Sequence, residues 1–530
     1  MQPATAPDPV GADAATAVAT PVKGEGAHTP PPTVEVTETW AGPDGEITYR
    51  CRAGWTVLAD EDDGALAELF SVDYLVEGGD SDRPVTFVFN GGPGASSVFL
   101  HIGALGPRRV VFSPDGRIMP SPARLTGNAE SWLPFTDLVF VDPVGTGFSR
   151  IVKPGKDDGP AEGTPAAAEK GRDPRAFYGF TRDLESLGEF VSRWLSVNGR
   201  WASPVLVAGE SYGGYRAAKM VRLLAENHGV GLAGAVLISP ALEFSLLEYG
   251  DYDVLPYVDA FPTMAATAFL HGRAPAFAAD TPIEEVFAAA EAFATGEYAT
   301  FLVQGLAMDA DRRAQTMDRA AGMIGLDAGH LLRAEGRLAP RVFARELLRD
   351  EGRIVAMYDG SYSAHDPFPD RAGYEAPDPT LQGMLSTYAG GINARLRGEL
   401  GLVTDRIYEV LSYAVHTGWT IDIERHAFET QLGATDDLRY GMQLQPHVRV
   451  FLTHGRFDLV TPYHASDRLR NLMRLPGDTG DRFRTRHYPG GHMFYAWDES
   501  RVAFRDDIAT FYAEALGHRT AGSQPADATG

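Results

Sequence analysis

The sequence predicts an α/β fold in which helices flank a mostly parallel central sheet and a large, mainly helical insertion (a cap) interrupts it. Two observations support this prediction. From about residue 85 to 240, short apolar runs rich in β-forming residues alternate with segments of helical periodicity, the pattern of a parallel sheet. From about residue 243 to 435, strand-like runs are few and Ala-rich helical segments dominate, after which the sheet pattern returns.

The strands can be placed from residue type and turn signals. Alternation between about residues 34 and 75 predicts antiparallel strands at the start of the sheet. Five short, mainly apolar runs predict the strands that follow, at residues 85–89, 138–141, 205–209, 235–238 and 448–452, and residues 483–488 continue the sheet pattern. The first of these runs is rich in β-formers throughout, as expected of a buried strand.

Apolar residues at helical spacing predict the helices between these strands. One helix extends from Phe180 to Trp194, and another begins after Gly214 and ends near Gly229. A closing helix is predicted after the last strand, with four residues facing inwards: Val502, Ile508, Phe511 and Leu516.

Composition changes along the chain predict five regions. Residues 1–33 are rich in Ala, Pro, Thr and Gly and contain no Leu, Ile, Phe or Tyr, which predicts a disordered N-terminal tail. The last residues have a similar composition. The regions are a tail at 1–33, the first part of the α/β core at 34–242, a helical cap insertion at 243–435, the second part of the core at 436–518 and a tail at 519–530.

Charge and cysteine content narrow the possible classes of protein. The 71 acidic residues outnumber the 47 basic ones, and the net charge of -24 argues against nucleic acid and anionic membranes as partners. No run of about 18 apolar residues predicts a spanning helix. Since the N-terminal residues also lack the apolar stretch of a signal peptide, we expect a cytoplasmic protein. The single cysteine, Cys51, is expected to be an ordinary buried or edge thiol.

The segment Gly209-Glu210-Ser211-Tyr212-Gly213 lies between a short apolar run and a helical segment. In this context the Gly-x-Ser-x-Gly pattern is typical of a nucleophile elbow, whose glycines let the strand and the helix close in on a strained turn. The hydroxyl of Ser211 then stands clear of the sheet. We therefore predict a nucleophilic Ser211; the alternative is a tight turn whose serine has no catalytic role.

A nucleophilic serine needs a base. The best candidate among the 14 histidines is His492, which follows a late strand in Pro489-Gly490-Gly491-His492-Met493. The glycines before it let the ring reach back over the sheet. Three rival histidines lie in the same part of the chain: His454, His464 and His487.

The base needs an acid to orient it. Asp458 lies just beyond the strand at 448–452, at a carboxyl end of the sheet, where ligand-binding groups collect. Asp142 also follows a strand, but it precedes the serine in the chain. The order Ser, Asp, His is that of the α/β-hydrolase fold, and it favours Asp458.

A glycine-rich segment, Asn90-Gly91-Gly92-Pro93-Gly94-Ala95-Ser96-Ser97, directly follows the strand at 85–89. Glycines packed after a strand leave backbone N–H groups exposed, which is what an oxyanion site requires. The alternative is a plain loop.

Four segments resemble the serine carboxypeptidase family, of the bacterial, disulfide-free kind: residues 90–97, 142–149 and 209–213, and the pair around Asp458 and His492. Residues 261–268 in the insertion also resemble bacterial members. The resemblance implies an α/β-hydrolase with a triad of Ser211, Asp458 and His492. It also implies an oxyanion hole at the N–H groups of Gly92 and Tyr212, and neither a cofactor nor a metal.

The family also binds the free carboxylate of its substrate through a hydrogen-bonded set of side chains. Asn90 and Glu210 match two members of that set, and Gly91 is expected beside them. The family's Trp and second Glu are Val88 and Ala104 here. Two adjacent carboxyls share a proton. A lone Glu210 is therefore expected to be ionised near neutral pH unless deeply buried, and discrimination in favour of peptide acids is expected to be weak.

Arg216 lies about one helical turn past Ser211, close enough to meet an anionic group. A structural ion pair with an acid such as Asp142 is the favoured role, and the candidate functional role is binding of the substrate carboxylate.

These motifs predict a serine-type peptidase that forms an acyl-enzyme on Ser211 and releases residues from the C-terminus of its substrate. One alternative keeps the triad and changes the reaction to that of an esterase or acyltransferase. Another is a binding protein on a hydrolase scaffold, which the presence of all three triad residues disfavours. The expected partner is a peptide or small acyl substrate.

Overall fold

The computed structural model describes residues 28–43, 45–59, 64–79, 82–152, 174–374, 377–422, 432–476 and 481–517. The predicted tails, 1–33 and 519–530, lie outside these ranges apart from residues 28–33.

Strands make up the centre of the molecule. Their bounds are β1 (Val34–Gly42), β2 (Gly45–Ala59), β3 (Ala65–Val76), β4 (Val85–Phe89), β5 (Arg108–Val110), β6 (Leu125–Gly127), β7 (Asp137–Val141), β8 (Arg150–Ile151), β9 (Val205–Glu210), β10 (Leu232–Ile238), β11 (Arg353–Val355), β12 (Ser363–His365), β13 (Arg449–Gly455) and β14 (Phe483–Tyr488). Ten of them form one sheet in the order β1-β2-β3-β7-β4-β9-β10-β13-β14, with β8 paired to β3.

Strand pairing changes once across this sheet, from antiparallel to parallel. β1, β2, β3 and β7 are antiparallel neighbours, whereas every pair from β7 to β14 is parallel. The predicted antiparallel start and parallel remainder are therefore confirmed, as is the α/β-hydrolase fold. Because the carboxyl ends of parallel strands meet at one edge, the loops after β4, β9, β13 and β14 lie together.

Helices cover both faces of the sheet and fill the insertion. The α-helices are α1 (Val98–Leu100), α2 (Phe180–Val197), α3 (Tyr212–His228), α4 (Leu255–Leu270), α5 (Ile283–Phe293), α6 (Ala299–Gln304), α7 (Ala310–Ile324), α8 (Ala328–Arg333), α9 (Pro340–Glu346), α10 (Leu381–Asn393), α11 (Tyr413–Gly418), α12 (Thr435–Leu444), α13 (Tyr463–Leu472) and α14 (Asp498–Ala515). Short 3-10 turns and π-turns also occur; two of them, the π-turn His101–Leu105 and the 3-10 turn Phe494–Ala496, lie near the carboxyl edge.

Neighbouring residues of β4 pack on opposite faces of the sheet. Phe87 contacts Phe190 and Trp194 of α2, with ring centroids 6.3 and 5.3 Å away. Val88 belongs to the apolar cluster on the other face, which includes Phe511 of α14. Because neither face meets water, the strand has no polar alternation, which explains its run of β-forming residues.

The segment between β10 and β13 is mainly helical, as predicted. It contains α4 to α12 and an apolar cluster of its own, in which Phe261 packs against Phe293 and Tyr298. The short antiparallel pair of β11 and β12 also lies here. The domain boundaries at 243 and 435 stay predictions.

The closing helix is present as α14, but one predicted inward residue is wrong. Ile508 and Phe511 are buried, and Phe504 joins them one turn earlier. Val502 is 46% exposed because it lies on the opposite side of the helix from this row. Leu516, just past the helix end, packs against the core in a partly buried position.

Cys51 is a buried thiol on β2, as expected. Burial raises the pKa of this thiol to about 12, so that it stays protonated and is a poor nucleophile.

No helix among the described residues is long and apolar enough to span a membrane. The expected cytoplasmic location is a separate matter and stays a prediction.

Candidate active site

Ser211 lies at the turn between β9 and α3, where the backbone is strained. Its φ and ψ are 61° and -123°, a conformation that side chains other than glycine rarely adopt. A Cβ at Gly209 would lie 1.9 Å from the carbonyl oxygen of Gly213, so only glycine fits there. The turn is held by its backbone, because the Ser211 N–H donates to Ile238 and its carbonyl accepts from Gly214. The sequence therefore forms the elbow that the motif predicts.

An acid and a histidine meet after the last two parallel strands. Nδ1 of His492 lies 2.6 Å from Oδ2 of Asp458. The other carboxylate oxygen, Oδ1, accepts from the backbone amides of Val460 and Thr461 at 2.8 and 3.0 Å. The Thr461 hydroxyl donates to Oδ2 at 2.6 Å. Asp458 is fully buried, and these donors hold its carboxylate in one orientation.

The backbone around His492 fixes the position of the ring. Its N–H donates to the carbonyl of Tyr358 at 2.6 Å, and its carbonyl accepts from the Ser239 hydroxyl at 2.9 Å. The ring meets the face of Tyr358 edge-on, with centroids 5.3 Å apart. Burial lowers the pKa of His492, but the charge and hydrogen bond of Asp458 outweigh it and raise the pKa above its ordinary value.

None of the three rival histidines hydrogen-bonds to Asp458 in the described part of the chain. His454 binds Ser466 through Nε2 at 2.9 Å, and burial lowers its pKa to about 3. Nε2 of His487 lies 3.0 Å from both carboxylate oxygens of Asp467. His464 lines a surface pocket together with His487. The carboxylate after β13 orients a different histidine, the one after β14.

The glycine-rich loop after β4 packs directly against the elbow. A Cβ at Gly91 would lie 2.5 Å from the backbone nitrogen of Tyr212 and 2.8 Å from Cβ of Ser211. Gly92 has a φ of 100°. Among the described residues, the N–H groups of Gly92 and Tyr212 donate no hydrogen bond. The two amides that the family resemblance singles out are thus available beside the serine, and the role of Gly91 toward substrate stays a prediction.

Asp142, the rejected candidate for the acid, supports this glycine loop. Its Oδ1 accepts from the N–H and the hydroxyl of Ser97 at 2.9 and 2.8 Å, and from the hydroxyl of Tyr408 at 3.1 Å. Burial raises the pKa of this carboxyl to about 6. Asp142 therefore supports the loop, in agreement with its position before the serine in the chain.

Glu210, the residue before the serine, is buried, and its carboxyl accepts two side-chain hydrogen bonds. Nδ2 of Asn90 donates to its Oε2, and the hydroxyl of Tyr495 donates to its Oε1 at 2.8 Å. Burial raises its pKa to about 7. The expectation of an ionised Glu210 held only if the group was not deeply buried. At 3% exposure it is deeply buried, and that expectation is corrected.

Arg216 forms a structural ion pair, the role that the sequence favours, but with a different acid. Its Nε and Nη2 donate to the two carboxylate oxygens of Asp183 on α2, at 2.8 and 2.9 Å. Nη1 donates to the carbonyl of Asn90. The Arg216 side chain is 1% exposed. Because protein groups surround the guanidinium, a positioning role under the Asn90 loop is supported, and the suggested partner Asp142 is wrong. Binding of the substrate carboxylate by Arg216 stays a prediction.

Sequence reasoning missed three residues at this edge: Thr461, Tyr495 and Asp183. Thr461 and Tyr495 each follow a predicted catalytic residue by three positions, a local signal that could have found them. Asp183 lies on α2 and its partner Arg216 lies on α3, so their pairing depends on how the two helices pack.

Comparisons with known proteins agree with this geometry. Residues 56–243 match the profile of the serine carboxypeptidase family. Serine carboxypeptidase-like 45 of Arabidopsis thaliana is 27% identical over 205 residues, which are 38% of this chain and 38% of the relative. The pheromone-processing carboxypeptidase KEX1 of Saccharomyces cerevisiae is 31% identical over 164 residues, 29% of this chain and 19% of the relative.

The matched segments are partial. The chain spans less than two fifths of the length of these curated relatives. A solved structure of the yeast KEX1 carboxypeptidase aligns with 87% of this chain and 91% of its own, with a TM-score of 0.47 and 19% identity. Over the matched residues, the resemblance to the family that the motifs indicate is confirmed.

Proposed function

We propose, from the match of residues 56–243 to the serine carboxypeptidases, that the chain is a serine-type carboxypeptidase. The observation that supports this best is the pairing of Asp458 with His492 at 2.6 Å, at the edge of the sheet where Ser211 follows β9. A buried acid, a histidine that it orients and a strained serine are the parts that acyl transfer requires.

In the proposed reaction, Oγ of Ser211 attacks the carbonyl carbon of the scissile peptide bond while Nε2 of His492 accepts its proton. Asp458 accepts the hydrogen bond from Nδ1–H, which leaves Nε2 free to act as the base and stabilises the charged ring. His492 then gives the proton to the leaving amine, the C–N bond breaks, and Ser211 holds the acyl group. A water molecule attacks this ester by the same route, and the proton returns to Ser211.

Two backbone amides are proposed to stabilise the oxyanion. The N–H of Tyr212 is the first of α3, a helix of 17 residues, and its end of the helix favours negative charge. The N–H of Gly92 comes from the loop that packs against Ser211. Such donors are worth on the order of 10²–10³ in kcat.

Preference for a free C-terminus is assigned to Glu210 and Asn90. A buried carboxyl whose pKa is raised to about 7 keeps its proton under acidic to neutral conditions. It can then donate a hydrogen bond to a substrate carboxylate, where an ionised group would repel it. Because Glu210 immediately precedes Ser211, a carboxylate bound beside it brings the last peptide bond of the substrate to the nucleophile.

The test is digestion of a peptide mixture by the native chain, read by mass spectrometry. We expect stepwise loss of single residues from C-termini, slower loss from the same peptides with amidated ends, and no loss with Ser211→Ala. Cleavage inside peptides would contradict the exopeptidase proposal. A fluorophosphonate label on Ser211 without any peptide turnover, together with rapid hydrolysis of simple esters, would favour an esterase.

A further inference from the structure

The carboxylate-recognition set has lost one carboxyl in this chain and has gained a phenol. Ala104 stands where the family resemblance predicts a second Glu, in the π-turn His101–Leu105. The hydroxyl of Tyr495 donates to Oε1 of Glu210 at 2.8 Å. We propose that Tyr495 takes the place of the missing carboxyl and, as the partner of Glu210, sets the pH range in which substrates with a free C-terminal carboxylate are preferred. This proposal rests on the proposed carboxypeptidase function.

The surroundings of Tyr495 fit its ring to this position. The short 3-10 turn Phe494–Ala496 places Tyr495 three residues after His492, and the side chain is fully buried. A Cβ at Gly103 would lie 2.6 Å from the hydroxyl of Tyr388 and 3.2 Å from Cε2 of Tyr495. Glycine at this position of the π-turn therefore leaves room for both phenols.

A phenol acts differently from a carboxyl at this position. Two carboxyls at hydrogen-bond distance share one proton, and the pair keeps this proton to a higher pH than an isolated carboxyl does. Burial and the charge of Glu210 raise the pKa of Tyr495 well above its ordinary value, so that the hydroxyl remains a neutral donor. A neutral donor favours the ionised form of its acceptor. Tyr495 therefore opposes the effect of burial on Glu210, and the loss of its hydroxyl should leave Glu210 protonated to a higher pH.

Other groups near Glu210 also affect its charge. Its pKa is raised mainly by burial, and the charge of His492 and the Asn90 hydrogen bond lower it while Asp458 raises it. Two more phenols lie within its electrostatic reach, Tyr358 and Tyr388. Both are buried or nearly so and stay neutral, because burial raises the pKa of each above its ordinary value. The catalytic roles of His492 and Asp458 are common to every substrate.

The experiment therefore measures a ratio. kcat/KM is determined for a blocked dipeptide with a free C-terminal carboxylate and for its amide, between about pH 5 and 9, where the substrate carboxylate stays ionised. The contribution of His492 cancels in the acid-to-amide ratio, which then reports Glu210. In the native chain we expect a high ratio at acidic pH that falls as pH rises through about 7, the pKa of Glu210.

Two conservative variants separate Tyr495 from its neighbours. Tyr495→Phe keeps the ring and removes the donor, and we expect the midpoint of the ratio to rise by about one pH unit, the effect of one hydrogen bond to a charged group. Tyr388→Phe is the matched control. It is also a fully buried tyrosine near Glu210, but its hydroxyl has no hydrogen-bond partner among the described residues, so the midpoint should equal that of the native chain.

The outcomes are distinct. A native chain that cleaves neither peptide would overturn the proposed function and this proposal with it. Turnover with a midpoint that Tyr495→Phe leaves unchanged or lowers would overturn this proposal alone, as would an equal rise in Tyr388→Phe. Should Tyr495→Phe not fold, Glu210→Gln gives the deciding result: the ratio should no longer vary with pH, and a ratio that still falls near pH 7 would refute the assignment to Glu210.

Discussion

Two buried carboxyl groups lie at the same edge of the sheet, and their surroundings differ. Asp458 accepts hydrogen bonds from two backbone amides, a hydroxyl and the ring of His492. Glu210 accepts hydrogen bonds from the side chains of Asn90 and Tyr495. Both are less than 4% exposed. The two carboxyl groups thus lie at the same edge of the sheet and are equally buried, and they differ in the groups that donate hydrogen bonds to them.

The difference shows that burial alone does not decide what a carboxyl group does. Removal from water disfavours the charged form, and hydrogen bonds and opposite charge restore it. Asp458 has a partner that becomes positive during turnover, so it is suited to hold a charge. The donors of Glu210 are neutral, burial dominates, and its pKa rises to about 7. Glu210 is therefore suited to hold a proton.

The largest expected effect comes from removing the Ser211 hydroxyl, the proposed nucleophile. Ser211→Ala should lower kcat by about 10⁶ while the fold persists, because the covalent nucleophile is gone. Adding His492→Ala should change little more. The dissociation constant of a peptide acid should stay near that of the native chain, measured by calorimetry. Losses that multiply in the double variant would show that the two residues do not act as one unit.

A smaller loss is expected from the carboxyl that holds a charge. Asp458→Asn should reduce kcat/KM by about 10⁴ at most, because His492 loses its orienting acceptor. The factor should be the same for a peptide acid, its amide and an ester, since Asp458 serves the chemistry and not recognition. If Asp458→Asn left kcat/KM unchanged, a different residue would have to be the acid. A loss confined to peptide acids would show that Asp458, like Glu210, serves recognition of the substrate.

A third buried carboxyl, Asp183, extends the comparison to stability. Arg216→Met should lower the free energy of unfolding by about 3–5 kcal/mol, because it leaves the Asp183 charge buried without its partner. Arg222→Met on the same helix is the matched control. Arg222 is 42% exposed, and loss of its pairs with Glu226 and Asp437 should cost about 0.5 kcal/mol.

Urea unfolding measures both arginine variants. Unchanged stability of Arg216→Met, combined with a raised KM for peptide acids and a normal KM for esters, would instead show that Arg216 contacts the substrate.

The smallest expected effect is a shift in a pH profile. His492 must be neutral to accept a proton, so kcat/KM for an uncharged ester should fall as pH drops through its pKa. Asp458 raises that pKa above the ordinary value. The fall should therefore begin at a higher pH than for an isolated imidazole, and Asp458→Asn should move it to lower pH. If the midpoint of the pH profile did not move in Asp458→Asn, Asp458 would not be the group that raises the pKa of His492.

Local patterns in the sequence were enough to predict much of this edge. The strands follow from runs of β-formers, and Ser211, Asp458 and His492 follow from short motifs in a fixed order. Each of these signals depends on residues close together in the chain, where turn geometry and sterics are decided.

Pairings between distant residues could not be predicted in the same way. Glu210 and Tyr495 meet because β9 and the turn after β14 lie at one edge, and nothing near Glu210 in the sequence indicates a phenol. The partner of Arg216 was likewise wrong in the prediction, because the packing of α2 against α3 selects Asp183. The charge of Glu210 depended on its burial, which only the assembled structure provides.

The helical insertion has a consequence for the order in which the protein becomes active during synthesis. β10 and β13 are hydrogen-bonded neighbours, with Gly234 beside Arg449, yet the whole insertion is made between them. Ser211 and the glycine loop precede that gap, and Asp458 and His492 follow it. Closing so long a segment is slow compared with forming local contacts. A growing chain thus displays the serine well before it has a base, and in the proposed mechanism it cannot cleave neighbouring peptides until its last strands dock.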